Sequence, residues 1–376
     1  MKGTPGSKRV ALFIPDLSVG GSERQLLELA KGMIRCHQDL LIITIYDTGA
    51  LLHEARSIPG LKVITLRKRN PLLFTGRLLR VMWHEQVGLL YSFLSIAQFY
   101  SLAVKLFFPG LKLVFRIGNS IGPTEYFGRK DALVELVLRL FSRLPDFYVL
   151  NSQAAKASKA LAVPAERVRV VYNGIDTERF QPSASWREEF RRTLGVVDDV
   201  FVIGCLATFS VYKDHPTFVE AAKLVKDAMS NVCFLTIGDD TTVAGQEAHE
   251  RVRRLGLKSC FRFLGARNDV ETILPACDVG CSTSMTEGFS NAIGEFMACG
   301  VPCVVTDAGD SSLIVGDVGL VTPKGNPRAV ADGILRLLRL SAEERAVLGQ
   351  RSRSRVVVNW SISRMVEETI AILAQV

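Results

Sequence analysis

Short apolar runs alternate with longer amphipathic segments along the chain. Seven runs of strand length occur in the first half and five in the second, and the segments between them repeat apolar residues at helical spacing. Parallel strands need a helical crossover between them, so this alternation predicts two α/β units with parallel sheets. The predicted strands are VALFIP, LLIITIY, KVITL, VGLLYSF, KLVFRI, FYVLN and VRVVYN, then VFVIGCLA, VCFLTIG, CFRFLG, VGCSTS and PCVVTD.

A polar segment with turn-forming residues separates the two series of strands. This segment, GIDTERFQPSASWREEF at 174–190, puts the boundary at about residues 176–198. We predict a first doubly wound domain over residues 1–185 and a second over residues 186–358, facing each other across a cleft. Open parallel sheets bind ligands beyond the carboxyl ends of their strands, so functional residues are expected in the strand-to-helix loops.

The composition is that of an ordinary globular protein. The chain has 376 residues, of which 48% are hydrophobic and 22% are charged, which excludes fibrous and disordered classes. The first strand begins almost at once and leaves no room for a signal peptide. The most apolar window, residues 88–115, divides into strand, helix and strand rather than one membrane span. We therefore expect a cytoplasmic protein.

Positive charge is concentrated in the first half of the chain. Residues 1–190 hold 26 Lys and Arg against 16 Asp and Glu, a balance of +10, whereas the remainder is at −2 and the whole chain at +8. Arg67, Lys68 and Arg69 precede an amphipathic segment that contains Arg77 and Arg80. Two interpretations stay open, an interfacial helix on an anionic membrane and a solvated helix packed on a sheet. No nucleic-acid recognition motif accompanies these residues, so we expect no nucleic-acid partner.

Eight cysteines are scattered along the sequence. Cys277, Cys281, Cys299 and Cys303 imitate a doubled metal motif, but several of them frame or lie inside apolar strands, where a free thiol acts as a small hydrophobe. Zinc sites usually have tighter pairs on turns. We expect reduced thiols and no metal site.

Two strand-to-helix loops carry groups suited to anions. Gly20 and Gly21 follow the first strand, where backbone amides can approach an anion closely, and a simple tight turn is an equal alternative. Lys213 lies in the loop before a helix entered at His215 and Pro216. Its ammonium group is a candidate for phosphate binding, and a solvated lysine is the alternative.

Two glutamates stand eight positions apart in EGFSNAIGE. Glu287 precedes a helix that Ser290 or Asn291 can cap, and Glu295 lies inside that helix. Residues 292, 293, 296 and 297 are apolar and share one face, and Glu295 projects about 130° from its centre. Carboxylates accept hydrogen bonds from paired hydroxyls, so the two suit the diols of a sugar nucleotide whose diphosphate lies at the helix start. Two ordinary surface glutamates are the alternative.

An ordered set of motifs resembles the GT-B glycosyltransferases, and within them the retaining glycosyltransferase family 4. The resemblance implies an α/β GT-B fold of two Rossmann-like domains, with a C-terminal helix, residues 359–376, that returns to the first domain. The motifs are GGSERQ at 20–25, NSQAAK at 151–156, VYNGIDTERFQP at 171–182, KDHPTFVEAA at 213–222, FLGARNDV at 263–270 and EGFSNAIGEFMACGVPCVVTDAG at 287–309.

The resemblance also implies a donor site in the second domain and an acceptor site in the first. Glu295 would bind the ribose hydroxyls and Glu287 the donor sugar, while Lys213 would stabilise the departing diphosphate. Glu287 and Lys213 are therefore the catalytic candidates. No metal and no cofactor beyond the nucleotide-diphosphate sugar are expected. The other implied donor contacts are Gly21, Ala266, Arg267, Gly288, Phe289, Ser290 and Asn291.

Two positions depart from the family pattern. Thr208 stands where relatives commonly carry an arginine, so one diphosphate contact is missing or supplied elsewhere. FRIGNS stands where many relatives have a histidine, and Arg116 or Asn119 is the candidate acceptor-binding substitute. The carboxylates of IGDD, at 239 and 240, are interpreted as loop residues rather than metal ligands.

Taken together, these features predict a metal-independent, retaining glycosyltransferase. It would move a sugar from a nucleotide-diphosphate sugar to a saccharide or polyprenyl-linked acceptor in cell-envelope polysaccharide or glycolipid biosynthesis, including lipopolysaccharide or exopolysaccharide. A cytoplasmic enzyme peripheral to an anionic membrane fits this chemistry. A sugar-nucleotide epimerase or hydrolase and a catalytically silent sugar-nucleotide-binding protein are the alternatives.

Overall fold

The chain folds into two compact units. The computed structural model describes residues 9–18, 20–67, 70–118, 129–157, 163, 165–197 and 199–376. Unit 1 comprises Met1–Gly174 and Ile362–Val376, and unit 2 comprises Ile175–Ser361. The predicted boundaries, 185/186 and 358/359, differ from these divisions by a few residues at the C-terminal junction and by more at the first.

The sheet of unit 1 has seven parallel strands in the order β3-β2-β1-β4-β5-β6-β7. All seven strands predicted in the first half are present. Both faces of the sheet are covered, which is why its strands are near-continuous apolar runs rather than alternating ones. The strands are β1 Arg9–Ile14, β2 Leu40–Thr44, β3 Lys62–Thr65, β4 Val87–Phe93, β5 Lys112–Ile117, β6 Phe147–Leu150 and β7 Val168–Val170.

Helices cover each face of this sheet and bury alternate residues of its strands. On β1, Leu12 packs into the core beneath α1, α2 and α15, whereas Phe13 packs into the core beneath α3, α4 and α5. The helices are α1 Gly21–Arg35, α2 Leu51–Ser57, α3 Pro71–His84, α4 Ser95–Phe107, α5 Arg129–Leu140, α6 Gln153–Ala157 and α15 Ile362–Leu373.

The last helix, α15, belongs to unit 1, as the resemblance implied for the C-terminal helix. It packs on α1, and a Cβ placed on Gly32 of α1 would lie 2.3 Å from Cγ2 of Val366. The backbone N–H of Gly174 also donates to Sδ of Met365 at 3.2 Å. The absence of a side chain at Gly32 therefore sets how closely α15 approaches α1.

We predict that Gly32→Ala destabilises the protein through this contact. The new methyl group overpacks against the stiff Val366 side chain, which costs about 1–3 kcal/mol, offset by about 1 kcal/mol of gained helix propensity. Combining it with Val366→Ala should remove the clash, so the double variant loses less unfolding free energy in urea titrations than the sum of the single variants. Strict additivity would contradict the packing described for α1 and α15.

The sheet of unit 2 has six parallel strands in the order β10-β9-β8-β11-β12-β13. Five of them were predicted. The sixth, β13, was missed because its apolar residues are only Leu320 and Val321, between Gly319 and Pro323, so the sequence shows no apolar run of strand length there. The strands are β8 Phe201–Leu206, β9 Val232–Ile237, β10 Phe261–Phe263, β11 Val279–Ser282, β12 Cys303–Thr306 and β13 Leu320–Thr322.

The helices of unit 2 also lie on both faces of their sheet. Helices α8, α9 and α13 share one core with β8, β9 and β11, and α11 lies over the glycines of β8 and β11 that face the other way. Among the helices in the described ranges, none is long and apolar enough to span a membrane. The helices are α7 Ala184–Leu194, α8 His215–Ala228, α9 Val243–Arg254, α10 Val270–Ile273, α11 Asn291–Ala298, α12 Ser311–Val315, α13 Pro327–Leu338 and α14 Ala342–Trp360.

Candidate functional site

The strand order of unit 2 reverses between β8 and β11. The chain runs outward from β8 through β9 to β10 on one side, and β11, which follows in sequence, pairs with β8 on the other. In a parallel sheet this reversal leaves a crevice at the carboxyl ends of the two central strands, where ligands commonly bind. The loops at this position are 207–214 and 283–290.

An ion pair joins these two loops. Nζ of Lys213, after β8, contacts Oε1 of Glu287, after β11. The hydroxyl of Ser284 donates to the same carboxylate oxygen at 2.7 Å. The side chain of Glu287 is 11% exposed and that of Lys213 is 26% exposed, so both groups reach solvent while their mutual attraction is only partly screened. The two predicted catalytic residues are therefore neighbours.

Backbone atoms of the two loops are also joined directly. The N–H of Met285 donates to the carbonyl of Tyr212 at 2.7 Å, and the buried hydroxyl of Thr283 donates to the carbonyl of Asp214 at 2.9 Å. The backbone of Lys213 is thus held between two fixed points. Neither Thr283 nor Ser284 was a predicted site residue. The contact of Thr283 joins loops distant in sequence and therefore leaves no local pattern.

A tight turn carries the chain from Lys213 into α8. Asp214 is in the left-handed conformation, with φ of 46°, which aspartate tolerates better than most residues. Its carboxylate accepts a hydrogen bond from the N–H of Thr217 at 3.3 Å and caps the helix. Pro216 then occupies the first turn, where its missing N–H costs nothing.

His215 is a buried neutral histidine beside this turn. It is 1% exposed, and its ring stacks on Phe209 with centroids 3.9 Å apart. Neither ring nitrogen has a hydrogen-bond partner within the described part of the chain. Burial, together with the nearby charge of Lys213, lowers the pKa of His215 to about 4. It packs against the Lys213 loop as an uncharged ring.

The main chain of Glu287 is fixed by a loop after β12. Gly309 has φ of 58°, and a Cβ there would lie 2.1 Å from the carbonyl oxygen of Glu287. Only glycine combines this left-handed conformation with such an approach. The N–H of Asp310 donates to the carbonyl of Gly288 at 3.1 Å. Gly309 lies in the motif that carried the resemblance, but its packing role against Glu287 was not predicted.

Helix α11 carries the second glutamate. Ile293, Phe296 and Met297 are buried as predicted, but Ala292, which was expected on the same buried face, is only partly buried, and Glu295 is half-buried. A carboxylate in this position has a positively charged neighbour in Arg179. Although burial opposes charge on Arg179, its hydrogen bond to Glu271 and the fields of Glu271 and Glu295 raise its pKa.

The residues between the two glutamates have defined positions. Phe289 is buried and its ring meets Trp360 edge-on, with centroids 5.9 Å apart. Ser290 stands at the N-cap of α11, but its side chain accepts no capping hydrogen bond. Asn291 is the first helical residue. The start of α11 therefore lies next to the segment that holds Glu287.

The remaining predicted residues of unit 2 lie on loops after neighbouring strands. Ala266 and Arg267 are exposed after β10, and Arg267 pairs with Asp269 at 2.8 Å, which lowers the pKa of that carboxyl. Thr208 is exposed after β8. In the described residues no group of three or more His, Cys, Asp or Glu side chains is arranged to hold a metal ion.

The carboxylates of IGDD lie in the loop after β9. The carboxylate of Asp239 accepts hydrogen bonds from Thr241. The carboxylate of Asp240 contacts Nε2 of His249 at 2.7 Å, and that imidazole stacks on Phe263 with centroids 3.6 Å apart. Both carboxylates therefore have protein partners within their own region of the surface.

Three predicted residues belong to unit 1. Gly21 is the first residue of α1. Arg116 is only 6% exposed, and its guanidinium donates to Oδ1 of Asn173 at 2.9 Å. Asn119 lies outside the described residues. The acceptor role predicted for Arg116 or Asn119 stays a prediction. From its position in β5, Arg116 contacts Asn173.

Family models match both parts of the chain. Residues 19–179 match the model described as Glycosyltransferase Family 4, and residues 200–340 match the model described as Glycosyl transferases group 1. The chain belongs to this family of glycosyltransferases.

Curated relatives of this glycosyltransferase include proteins that are themselves named as glycosyltransferases. It is 25% identical over 324 residues to the putative glycosyltransferase EpsF of Bacillus subtilis, covering 84% of this chain and 83% of that protein. It is 29% identical over 159 residues to the UDP-Gal:alpha-D-GlcNAc-diphosphoundecaprenol alpha-1,3-galactosyltransferase of Escherichia coli, covering 42% and 41% of the two chains. The second match spans less than half of that relative.

Solved structures show the same fold over nearly the whole glycosyltransferase chain. Anabaena HepE, solved in complex with UDP and glucose, has a TM-score of 0.84 at 23% identity, covering 98% of this chain and 100% of that one. The GT-B architecture of two Rossmann-like units with parallel sheets is therefore confirmed.

We predict that His215→Phe flattens the pH dependence of stability in acid. Above pH 6.5 the imidazole is neutral in both the folded and unfolded chain and contributes nothing. Below 6.5 only the unfolded chain binds the proton until the pH reaches about 4, so stability is lost as pH falls. At pH 5 this loss is about 2 kcal/mol, and phenylalanine would abolish it.

Urea unfolding at pH 7 and pH 5 would measure this effect. The matched control is His53→Phe, since His53 is exposed on α2, and it should retain the acid-dependent loss of the parent protein. A His215→Phe variant with unchanged pH dependence would show that folding does not lower the pKa of His215.

Proposed function

We propose that this protein is a retaining glycosyltransferase that moves a sugar from a nucleotide-diphosphate sugar to a hydroxyl of a saccharide or polyprenyl-linked acceptor. The observation that carries the proposal is the Lys213–Glu287 pair at the carboxyl ends of β8 and β11, next to the start of α11. The setting is the assembly of cell-envelope polysaccharide or glycolipid, and the family membership supports the reaction class.

The charges of the site suit departure of a nucleoside diphosphate. Negative charge develops on the leaving group as the glycosidic bond breaks, and a fixed cation and oriented amides stabilise it. Lys213 supplies the cation and the first amides of α11 supply the dipole. In this proposal the acceptor hydroxyl attacks the face from which the diphosphate departs, and no metal ion takes part.

The two glutamates have different proposed roles. Glu295 lies about one turn into α11 and binds the ribose hydroxyls, while Glu287 lies before the helix and binds hydroxyls of the donor sugar. An ionised carboxylate accepts a hydrogen bond from each of two neighbouring hydroxyls, which suits both tasks. The remaining proposed donor contacts are Gly21, Ala266, Arg267, Gly288, Phe289, Ser290 and Asn291.

The acceptor is proposed from the chemistry of relatives. The Escherichia coli relative is named for transfer to a sugar on diphosphoundecaprenol, a lipid that lies in a membrane. A similar acceptor for this protein would require unit 1 to associate with an anionic membrane surface. The nucleotide base, the donor sugar and the linkage are left open in this proposal.

We predict that Glu295→Gln and Glu287→Gln separate nucleotide binding from sugar binding. Glu295→Gln should lower the affinity for a free nucleoside diphosphate and for its sugar derivative alike, by about 10-fold or more, because charged hydrogen bonds to ribose are lost. Glu287→Gln should lower the affinity for the sugar derivative only. A free nucleoside diphosphate should still bind, because Lys213 is then available to it without a competing carboxylate.

Thermal shift titrations with UDP, GDP, ADP and CDP and their common sugar derivatives would measure both effects. Glu188→Gln, an exposed glutamate on α7, is the matched control and should bind as the parent does. If Glu295→Gln bound every nucleoside diphosphate as tightly as the parent protein, the ribose assignment would be wrong.

We predict that Lys213→Met lowers transfer by about 100-fold or more, because the variant loses the cation that stabilises the leaving group. Transfer to extracted polyprenyl-linked saccharides would be measured with and without EDTA, and EDTA should change nothing. The control is Lys223→Met, which removes a surface lysine paired with Asp227 on α8.

The products of the same reactions distinguish the alternative functions. Retention of the anomeric configuration, read by NMR, supports the proposal, and inversion contradicts its stereochemistry. Conversion of donor without any acceptor would instead indicate an epimerase or hydrolase. Donor binding without any product from the acceptor pool would indicate a silent binding protein.

A further inference from the structure

Large apolar side chains are exposed mainly on one helix layer of unit 1. Every tryptophan and phenylalanine exposed among the described residues lies there, with Trp83 at 73% and Phe107 at 68% exposure. Exposed apolar residues of unit 2 are mostly valines scattered over separate elements. The outer residues of this helix layer, here called the outer apolar surface, are Leu73, Trp83, Leu106, Phe107, Leu133, Leu136, Leu140 and Phe141.

These residues lie on three neighbouring helices. Helix α4 contacts α3 on one side and α5 on the other, and all three pack on the same face of the sheet. Each helix follows a parallel strand and runs back along it, so the C-terminal ends of the three helices lie at the same end of the sheet. That end carries Trp83, Phe107 and Phe141.

The outer apolar surface is not needed to fill the core. On α3 the inward positions Phe74, Leu78 and Met82 are fully or almost fully buried and supply the contacts with the sheet. On α5 the exposed Leu133, Leu136 and Leu140 are spaced three and four residues apart and form a single outward stripe. Several large apolar residues on one continuous surface mark an interaction site rather than ordinary exposure.

Cations accompany this surface. Four exposed arginines lie on α3, on α5 or just after α5, and the described residues offer none of them an ion pair at contact distance. Arginine combined with exposed tryptophan, phenylalanine and leucine is the composition of a surface that inserts shallowly into anionic lipid. The four residues are Arg77, Arg80, Arg139 and Arg143.

Two carboxylates on α5 itself, Asp131 and Glu135, are outnumbered by the four arginines, and the carboxylates just beyond the helices already have partners. Glu85, just after α3, pairs with Arg9 and Lys62. Asp146, before β6, pairs with Lys105 at 2.9 Å. A second copy of the chain on this surface would bring arginines against arginines, which disfavours self-association.

We propose that the outer apolar surface of α3, α4 and α5 binds an anionic lipid membrane, with the leucines and aromatic rings in the interface and the arginines at the headgroups. The role of this binding, which is to bring the enzyme to a lipid-linked acceptor, rests on the proposed function; the binding itself does not. The proposed surface retains α3 from the predicted membrane contact, leaves out the preceding run at Arg67, and extends the contact to α4 and α5.

Flotation of the full chain with vesicles would test this surface. Vesicles of phosphatidylcholine with phosphatidylglycerol should carry the protein, and pure phosphatidylcholine should carry much less. Trp83→Ser with Phe107→Ser should abolish flotation, because the variant loses the two most exposed rings. Arg80→Gln with Arg139→Gln should lower the affinity for these vesicles roughly 30-fold, since each interfacial arginine contributes about fivefold to affinity.

Matched controls come from unit 2. Val347→Ser with Val358→Ser removes exposed apolar residues of α14, and Arg192→Gln with Arg254→Gln removes exposed arginines of α7 and of the end of α9. Both controls should float as the parent protein does. Thermal shift with nucleoside diphosphates, run on every variant, should be unchanged and shows that the variants are folded.

The outcomes separate this proposal from the proposed function. Absence of flotation by the parent protein, or unchanged flotation of both surface variants, would overturn the membrane assignment whatever the activity. If sedimentation shows that the parent protein is a dimer and that Trp83→Ser with Phe107→Ser makes it a monomer, the surface is a contact between copies. That result would also overturn the membrane assignment. Surface-dependent flotation by a protein that transfers no sugar would uphold the membrane surface and refute the transferase.

Discussion

The close approach of α11 to its sheet is the constraint on which the candidate site depends. The ring of Phe296 lies where side chains on Gly204 of β8 and Gly280 of β11 would stand, since a Cβ at either position would come within about 3 Å of it. The two strands that carry the site loops are therefore also the two strands that seat the helix. Glu295, one residue before Phe296, takes its orientation from that contact.

Most of the fold could be predicted because its strands are buried on both faces. The strands that were predicted lie within mainly apolar stretches of strand length, such as CFRFLG around the three residues of β10, whereas β13 has only Leu320 and Val321 between Gly319 and Pro323. Helical periodicity likewise identified Ile293, Phe296 and Met297 as the buried side of α11. Local sequence patterns are sufficient to predict which residues are buried where burial depends on a single helix or strand.

Contacts between distant segments could not be predicted in the same way. Glu295 is half-buried on a helix whose neighbouring chain includes Ile175, since a Cβ at Gly294 would lie 2.8 Å from that side chain. The hydrogen bond from Thr283 to the carbonyl of Lys213 also joins residues 70 positions apart. Family resemblance named the charged residues, but it did not supply the polar contacts that hold them.

The basic character of the first half illustrates a further limit of the sequence. Arg67, in the run that suggested a membrane contact, pairs with Asp47, while Lys68 and Arg69 lie outside the described residues. Counting charges cannot distinguish a paired arginine from an unpaired one. Four of the arginines with no ion pair among the described residues stand instead beside exposed leucines and aromatic rings, on α3, on α5 or just after α5, a combination that the helix layer brings together.

The state of His215 fixes the charge of the candidate site over the physiological range. Because its pKa is lowered to about 4, the imidazole stays neutral from pH 5 upward, and the positive charge beside Glu287 is that of Lys213 alone among these two residues. A neutral, buried ring stacked on Phe209 also lowers the polarity on one side of the lysine loop. His215 therefore supports the Lys213 loop by packing and adds no charge to the candidate site.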